Sequence, residues 1–179
     1  MQVHRLHRAF SVVTRLVLFT ACTSLPLTSL AAGNITIAKL APFDKQVNVT
    51  DAVRAECKLP EKVSEFVKEF ADKSYDKVVL ADNVSANTPG QALSMKIVGV
   101  TGFGGGAFSG AKHVTVEGTL WENGKVKGTF TAMRYSSGGA FGAYKGTCAI
   151  LGRCVKAIGK DVGGWLLAPG MNAKLGDAK

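Results

Sequence analysis

The sequence is poorest in the residues on which most enzymes rely. Histidine occurs three times, at His4, His7 and His113, so one histidine remains beyond the extreme N-terminal segment. The motifs HExxH and GxSxG are absent, which removes the common zinc-peptidase and serine-hydrolase arrangements. No CxxC pair occurs, so neither a paired-cysteine zinc site nor a thioredoxin-type dithiol is encoded, and no residue set calls for a metal or cofactor. No segment supplies the roughly 20 apolar residues of a membrane-spanning helix. The most apolar stretch after the N-terminal region, Phe141 to Ala168, contains Lys145, Arg153, Lys156, Lys160 and Asp161, each expensive in lipid. Lysine and arginine form no clustered run, which argues against a nucleic-acid partner.

What is present begins with an export signal. Residues 1–31 carry Arg5, Arg8 and Arg15 and no acid, and an apolar run from Leu16 to Leu30, broken by Pro26, ends in Ser29-Leu30-Ala31-Ala32. A basic segment, an apolar segment and a small-residue cleavage site, in that order, define a signal peptide cleaved after Ala31. A second export route competes. Leu18-Phe19-Thr20-Ala21 precedes Cys22 like a lipobox with Phe in place of Leu, and processing there would make the chain an outer-membrane lipoprotein acylated at Cys22. The expected organisation is a signal peptide over 1–31, one domain over 32–169 and a C-terminal tail over 170–179, in the periplasm or secreted. Loss of the three arginines lowers the net charge from +9 to +6. That balance admits an anionic envelope polymer as partner, or none in particular. A single domain of this size buries about 68–70% of its unfolded surface.

The pattern along the exported part is strand, helix, several strands, helix. Asn34 to Phe43 reads as a first strand and 44–58 has no clear period. Leu59-Pro60 opens a helix whose Val63, Phe66, Val67 and Phe70 form one apolar stripe. Lys77–Ala81 reads as a short buried strand and Ala92–Thr101 as a half-buried one. In Lys112–Trp121, Val114, Val116, Gly118 and Leu120 share a face opposite Thr115, Glu117 and Thr119, and Val126–Tyr135 returns with Val126, Phe130 and Ala132 on one face. To keep those apolar faces together, the turn is expected to be a type I turn over Glu122-Asn123 with Gly124 as a left-handed bulge, pairing Val116 with Phe130. A long helix runs from Phe141 to Leu166, before Pro169-Gly170. Its many glycines cost roughly 1 kcal/mol each against Ala, which a close backbone approach to a sheet or helix would offset. The expected fold class is α+β: a mixed or antiparallel sheet of about five strands with two helices packed on it.

Three cysteines, Cys57, Cys148 and Cys154, remain after cleavage, and in an oxidising compartment they make one disulfide and one leftover thiol. Six residues of helix separate Cys148 from Cys154 by about 9 Å, beyond the roughly 7 Å that a disulfide allows between Cα atoms. Cys57 is therefore a partner. Cys148 falls in the helix's apolar stripe and Cys154 on its flank, which favours Cys57–Cys154 and leaves Cys57–Cys148 as the alternative.

Candidate chemistry is thin. His113 shares strand parity with Thr115 and Glu117, as a solvated strand residue would, although a Cys–His pair would make a small hydrolase. Glu117 and Glu122 lie on opposite faces, which argues against a carboxylate pair. The glycine-rich segment Gly102–Gly110 has no GK[ST] ending and leads into a strand, so it lacks the helix N-terminus of a phosphate loop. Gly105-Gly-Ala-Phe108 recurs as Gly138-Gly-Ala-Phe141, which makes Phe103, Phe108 and Phe141 candidate tips of two contact loops.

Glu56-Cys57-Lys-Leu-Pro60, the strand pair Val114 to Tyr135, and Gly146-Thr-Cys148-Ala-Ile-Leu-Gly-Arg-Cys154 with Asp161 to Trp165 together resemble exported proteobacterial proteins grouped as domain of unknown function 4410. The resemblance implies an envelope protein with a sheet and packed helices, distantly like the lipoprotein activators of peptidoglycan synthases, and no catalytic residue. The functional expectation is a non-catalytic periplasmic or secreted protein that binds a protein partner or an anionic envelope polymer. The alternative is a small Cys- or His-dependent hydrolase.

Overall fold

The computed structural model describes residues 33–102, 111–137 and 145–179. The signal segment, Cys22, the glycine-rich stretch after Gly102 and the loop tips Phe103, Phe108 and Phe141 lie outside them. The chain order is β1 (Asn34–Ala38), α1 (Asp51–Glu56), α2 (Leu59–Ala71), β2 (Lys77–Ala81), β3 (Gln91–Thr101), β4 (Lys112–Glu122), β5 (Lys125–Ser136), α3 (Thr147–Trp165) and β6 (Ala173–Gly176). The fold is α+β, with six strands in a mixed sheet ordered β2-β1-β3-β4-β5-β6. β3, β4 and β5 form an antiparallel meander, β1 runs parallel to β2 and β3, and β6 runs parallel to β5. The helices form the parallel crossovers, α1 and α2 between β1 and β2, and α3 between β5 and β6. Among the described residues no helix is long and apolar enough to cross a membrane.

Local chemistry accounts for the elements. Thr50 caps α1 by accepting from the Val53 N–H, and Lys58 takes a left-handed conformation between α1 and α2. Pro60 stands in the first turn of α2, where no N–H is needed. Val63 and Val67 are buried, Phe66 packs at the edge of the core and Phe70 is half-buried. β2 is an edge strand with Val78 buried and Val79 exposed, so it is less buried than the apolar run suggests. The segment 42–44 resumes the line of β1 after a break: Pro42 O accepts from Ile97 N, and Ile97 O accepts from Asp44 N.

The hairpin departs from expectation. Asn123 and Gly124 have φ of 52° and 82°, the signature of a two-residue type I′ turn that pairs Glu122 with Lys125. Such a turn alone would set Leu120 against Lys127. The chain corrects this two residues later, where Lys127 is the extra residue of a bulge and Leu120 faces Gly128. Phe130 consequently pairs with Gly118, not Val116, and its ring lies over the hydrogen of that glycine. Val126, ahead of the bulge, is exposed rather than in the core.

α3 begins at Thr147 with Gly146 as N-cap, so it does not continue back to Phe141. That later start decides the disulfide, which joins Cys57 to Cys148 and not to Cys154. Cys148 stands in the first turn of α3, where the helix end meets the C-cap of α1, with Cα atoms 4.8 Å apart. Cys154 lies on the buried face with Leu151, Val155 and Ile158, its thiol 3.5 Å from the Lys112 carbonyl. The stripe and the flank are thus exchanged relative to the sequence reading. Burial pushes the Cys154 thiol up to about 11.

Two of the glycines of α3 have the expected purpose. A Cβ on Gly159 would stand 2.7 Å from Phe66 Cβ, and one on Gly163 would stand 2.6 Å from Phe70 Cβ, so α2 and α3 meet nearly backbone to backbone. At its far end Trp165 packs edge-on against Phe130, with centroids 4.9 Å apart, and closes over Gly128. The last ten residues are not a free tail. They supply β6, and Arg134 of β5 links it to α3 through one hydrogen bond to Asp177 (3.4 Å) and two to Asp161 of α3 (2.7 and 2.8 Å).

The glycine contacts make opposite outcomes testable within one helix. Gly159→Ala forces Cβ against the Phe66 backbone and is expected to lower unfolding free energy by about 1–3 kcal/mol. Gly152→Ala, with open space around it, is expected to raise it by about 0.5–1 kcal/mol. Denaturant titration of both variants checks this.

A loop of 91 residues is closed by the disulfide. Cys148→Ser should therefore cost about 4–5 kcal/mol in the chain-entropy model, whereas Cys154→Ser should leave the bridge in place. Peptide mapping without reductant should recover Cys57 joined to Cys148. Native Cys154 should resist thiol reagents at pH 8. Because its folded pKa is raised, its contribution to stability is complete below about pH 9 and fades as the pH rises toward 11.

Candidate functional site

The helices occupy one face of the sheet, the one bearing Leu93, Ile97, Val114, Val116, Leu120 and Ala132, all fully buried or nearly so. Side chains alternate across a strand, so the opposite face receives Ser94 and Lys96 from β3, Glu117 and Thr119 from β4, and Thr129 and Thr131 from β5. None of these is buried. Register brings them together in two cross-strand rows. Ser94 pairs with Thr119, and Thr119 with Thr129. One step along, Lys96 pairs with Glu117, Glu117 with Thr131, and Thr131 with Lys174 of β6.

Flanking segments turn this face into a groove of about 760 Å³. Leu40 and Pro42 line one end, residues 82–85 a side, and Asn172 and Lys174 the other end. Asn172, at a left-handed φ of 54°, is fastened to the floor where its N–H donates to Thr129 Oγ1 at 2.8 Å.

The central charges, Lys96 and Glu117, hold one another. Lys96 Nζ lies 3.2 Å from Asp44 Oδ2 and 3.3 Å from Glu117 Oε2. Hydrogen bonds from the Gln46 N–H and from Lys96 hold the Asp44 carboxyl below its ordinary range, and the two carboxylates hold the Lys96 ammonium above its own. At the rim, Asp82 lies 3.6 Å from Lys39.

The residues suggested by the sequence are scattered. His113 lies at the other end of β4, opposite Tyr135, with Nε2 3.4 Å from Thr101 Oγ1. Cys57 and Cys148 are joined to each other, and Cys154 is sealed beneath α3. Glu122 accepts from Gln91 and Lys127, remote from His113, at the opposite end of β4. Among the described residues no group of three or more His, Cys, Asp and Glu side chains is placed to hold a metal. The groove itself went unnoticed in the sequence. The parity of Thr115, Glu117 and Thr119 is the one signal for it, and only the strand order places Ser94, Thr129 and Asn172 beside them.

No family model matches the sequence, and no curated protein matches it. Among solved structures the chain is similar to a PelC dodecamer from Paraburkholderia phytofirmans, at 14% identity over 71% of this chain and 86% of that one. The TM-score is 0.45, a likeness too slight to bear on function.

Removing the central cation should release Asp44. In Lys96→Met its carboxyl is expected to titrate at higher pH than in the parent, read by NMR pH titration. Because the pair is exposed and screened by solvent, thermal stability should change little.

Proposed function

We propose that this protein is a non-catalytic binding domain of the cell envelope, exported with loss of residues 1–31, that takes its partner in the groove on the open face of the sheet. One observation carries the reading: a groove of about 760 Å³ whose floor is made of hydroxyls and a Lys96–Glu117 pair, with no Cys or His among its described lining residues. The disulfide supports an oxidising compartment, where such bonds form and persist. The resemblance to exported envelope proteins points the same way. The alternative, a Cys- or His-dependent hydrolase, draws little support. Two thiols are consumed in the bridge, the third has a pKa pushed up to about 11, and His113 has Thr101 as its hydrogen-bonding neighbour among the described residues.

Photocrosslinking tests the proposal. A benzophenone amino acid at position 119, in protein exported by living cells, should give discrete adducts, and the same residue at position 65 on the wet face of α2 should not. Equal labelling from both positions, or hydrolytic turnover abolished by His113→Ala, would overturn it.

A further inference from the structure

We infer that the ligand of the groove is an uncharged, polyhydroxylated chain, a neutral glycan, and not the anionic polymer that the protein's basic balance suggests; the inference rests on the groove being the binding site. The charge excess is not where the ligand would lie. The lining contains two cations, Lys96 and Lys174, and two anions, Asp82 and Glu117, and Lys96 is already shared between Asp44 and Glu117. A polyanion meets a locally neutral surface there, with no Coulombic gain to set against its lost hydration.

The floor has a different character. Ser94, Thr119 and Thr129 stand opposite one another on adjacent strands, so their hydroxyls form a row across the sheet at the strand spacing of about 4.8 Å. Thr131 stands in the second row between Glu117 and Lys174, and Asn172 extends the first. The Thr129 hydroxyl is engaged with Asn172 as donor and acceptor, while those of Ser94, Thr119 and Thr131 can each donate and accept and reorient to suit a partner. Sugar hydroxyls have the same double capacity. An extended peptide presents fixed donors and acceptors and pairs with the backbone of a sheet edge, but on this face the backbone of β3, β4 and β5 is already spent on the ladder. At one end Leu40, 45% exposed, gives the groove an apolar wall for the C–H side of a sugar ring.

Titration of the exported chain, labelled with 15N, against neutral oligosaccharides (maltohexaose, cellohexaose, chitohexaose and a mannohexaose) and against dextran sulfate tests the inference. At least one neutral glycan should shift the amides of Ser94, Thr119 and Thr131. Its affinity should hold within about twofold between roughly 0.05 and 0.5 M salt, since no counterions are released. Thr119→Val should weaken binding about fivefold, the worth of one hydrogen bond, with Thr131→Val as the companion variant if the first is unstable. Groove shifts caused by dextran sulfate alone and lost at high salt would overturn the inference, as would a panel of neutral glycans that moves no groove residue. Crosslinking at position 119 separates the two failures. Adducts without any glycan response sink the glycan and leave the groove as a binding site, whereas neither adducts nor shifts sinks both.

Discussion

The architecture depends on how closely α3 can lie against α2. With hydrogen at Gly159 and Gly163, the helix settles against the backbones of Phe66 and Phe70, and its remaining contacts follow from that depth. One end reaches the α1 C-cap, where Cys148 finds Cys57. The other lays Trp165 on Phe130, which itself fills the space left by Gly118. Between them Asp161 meets Arg134, and the chain returns in line to add β6 beside β5. Glycines that weaken an isolated helix are what allow this one to pack.

The same packing gives the sheet two unlike faces. Every apolar strand residue that the helices can cover is used on one side, and the threonines of β4 and β5 are left to the other, where a β-branched hydroxyl suits the pleat and stays wet. Bare sheet would be flat. Here the broken end of β1, the segment after β2 and the turn before β6 rise around it, so the groove is made by connections standing on a rigid floor.

Charge is arranged to position, not to attract. Lys96 ties the 42–44 segment to β4 through Asp44 and Glu117, which fixes the groove wall and neutralises the floor in one step. The protein's basic excess is therefore not concentrated in the groove. Net charge is a property of the whole surface, while recognition is decided by the few groups that a cleft brings together.

By itself the sequence determined most of the elements, though not α1 or β6. Period and parity identified α2, the strand Lys77–Ala81 and the inward faces of β3 and β4, because burial imposes its spacing directly on the residues. It also required Cys57 in the bridge, because helix rise is fixed. Tertiary structure decided the rest. The face correction in the hairpin could be made in the turn or after it, and the sequence satisfies both. The bulge at Lys127 is chosen because only then does the Phe130 ring find the space above Gly118. Cys148 reads as a mid-helix residue because the apolar spacing runs on past the true helix start at Thr147, and pattern alone does not show where a cap lies. The C-terminal residues look like a tail because four residues carry almost no period, yet β5 offers them a free edge and Arg134 a charge to hold. The groove was least legible of all. Its residues come from distant parts of the chain, and strand order, which no local pattern encodes, is what sets them side by side.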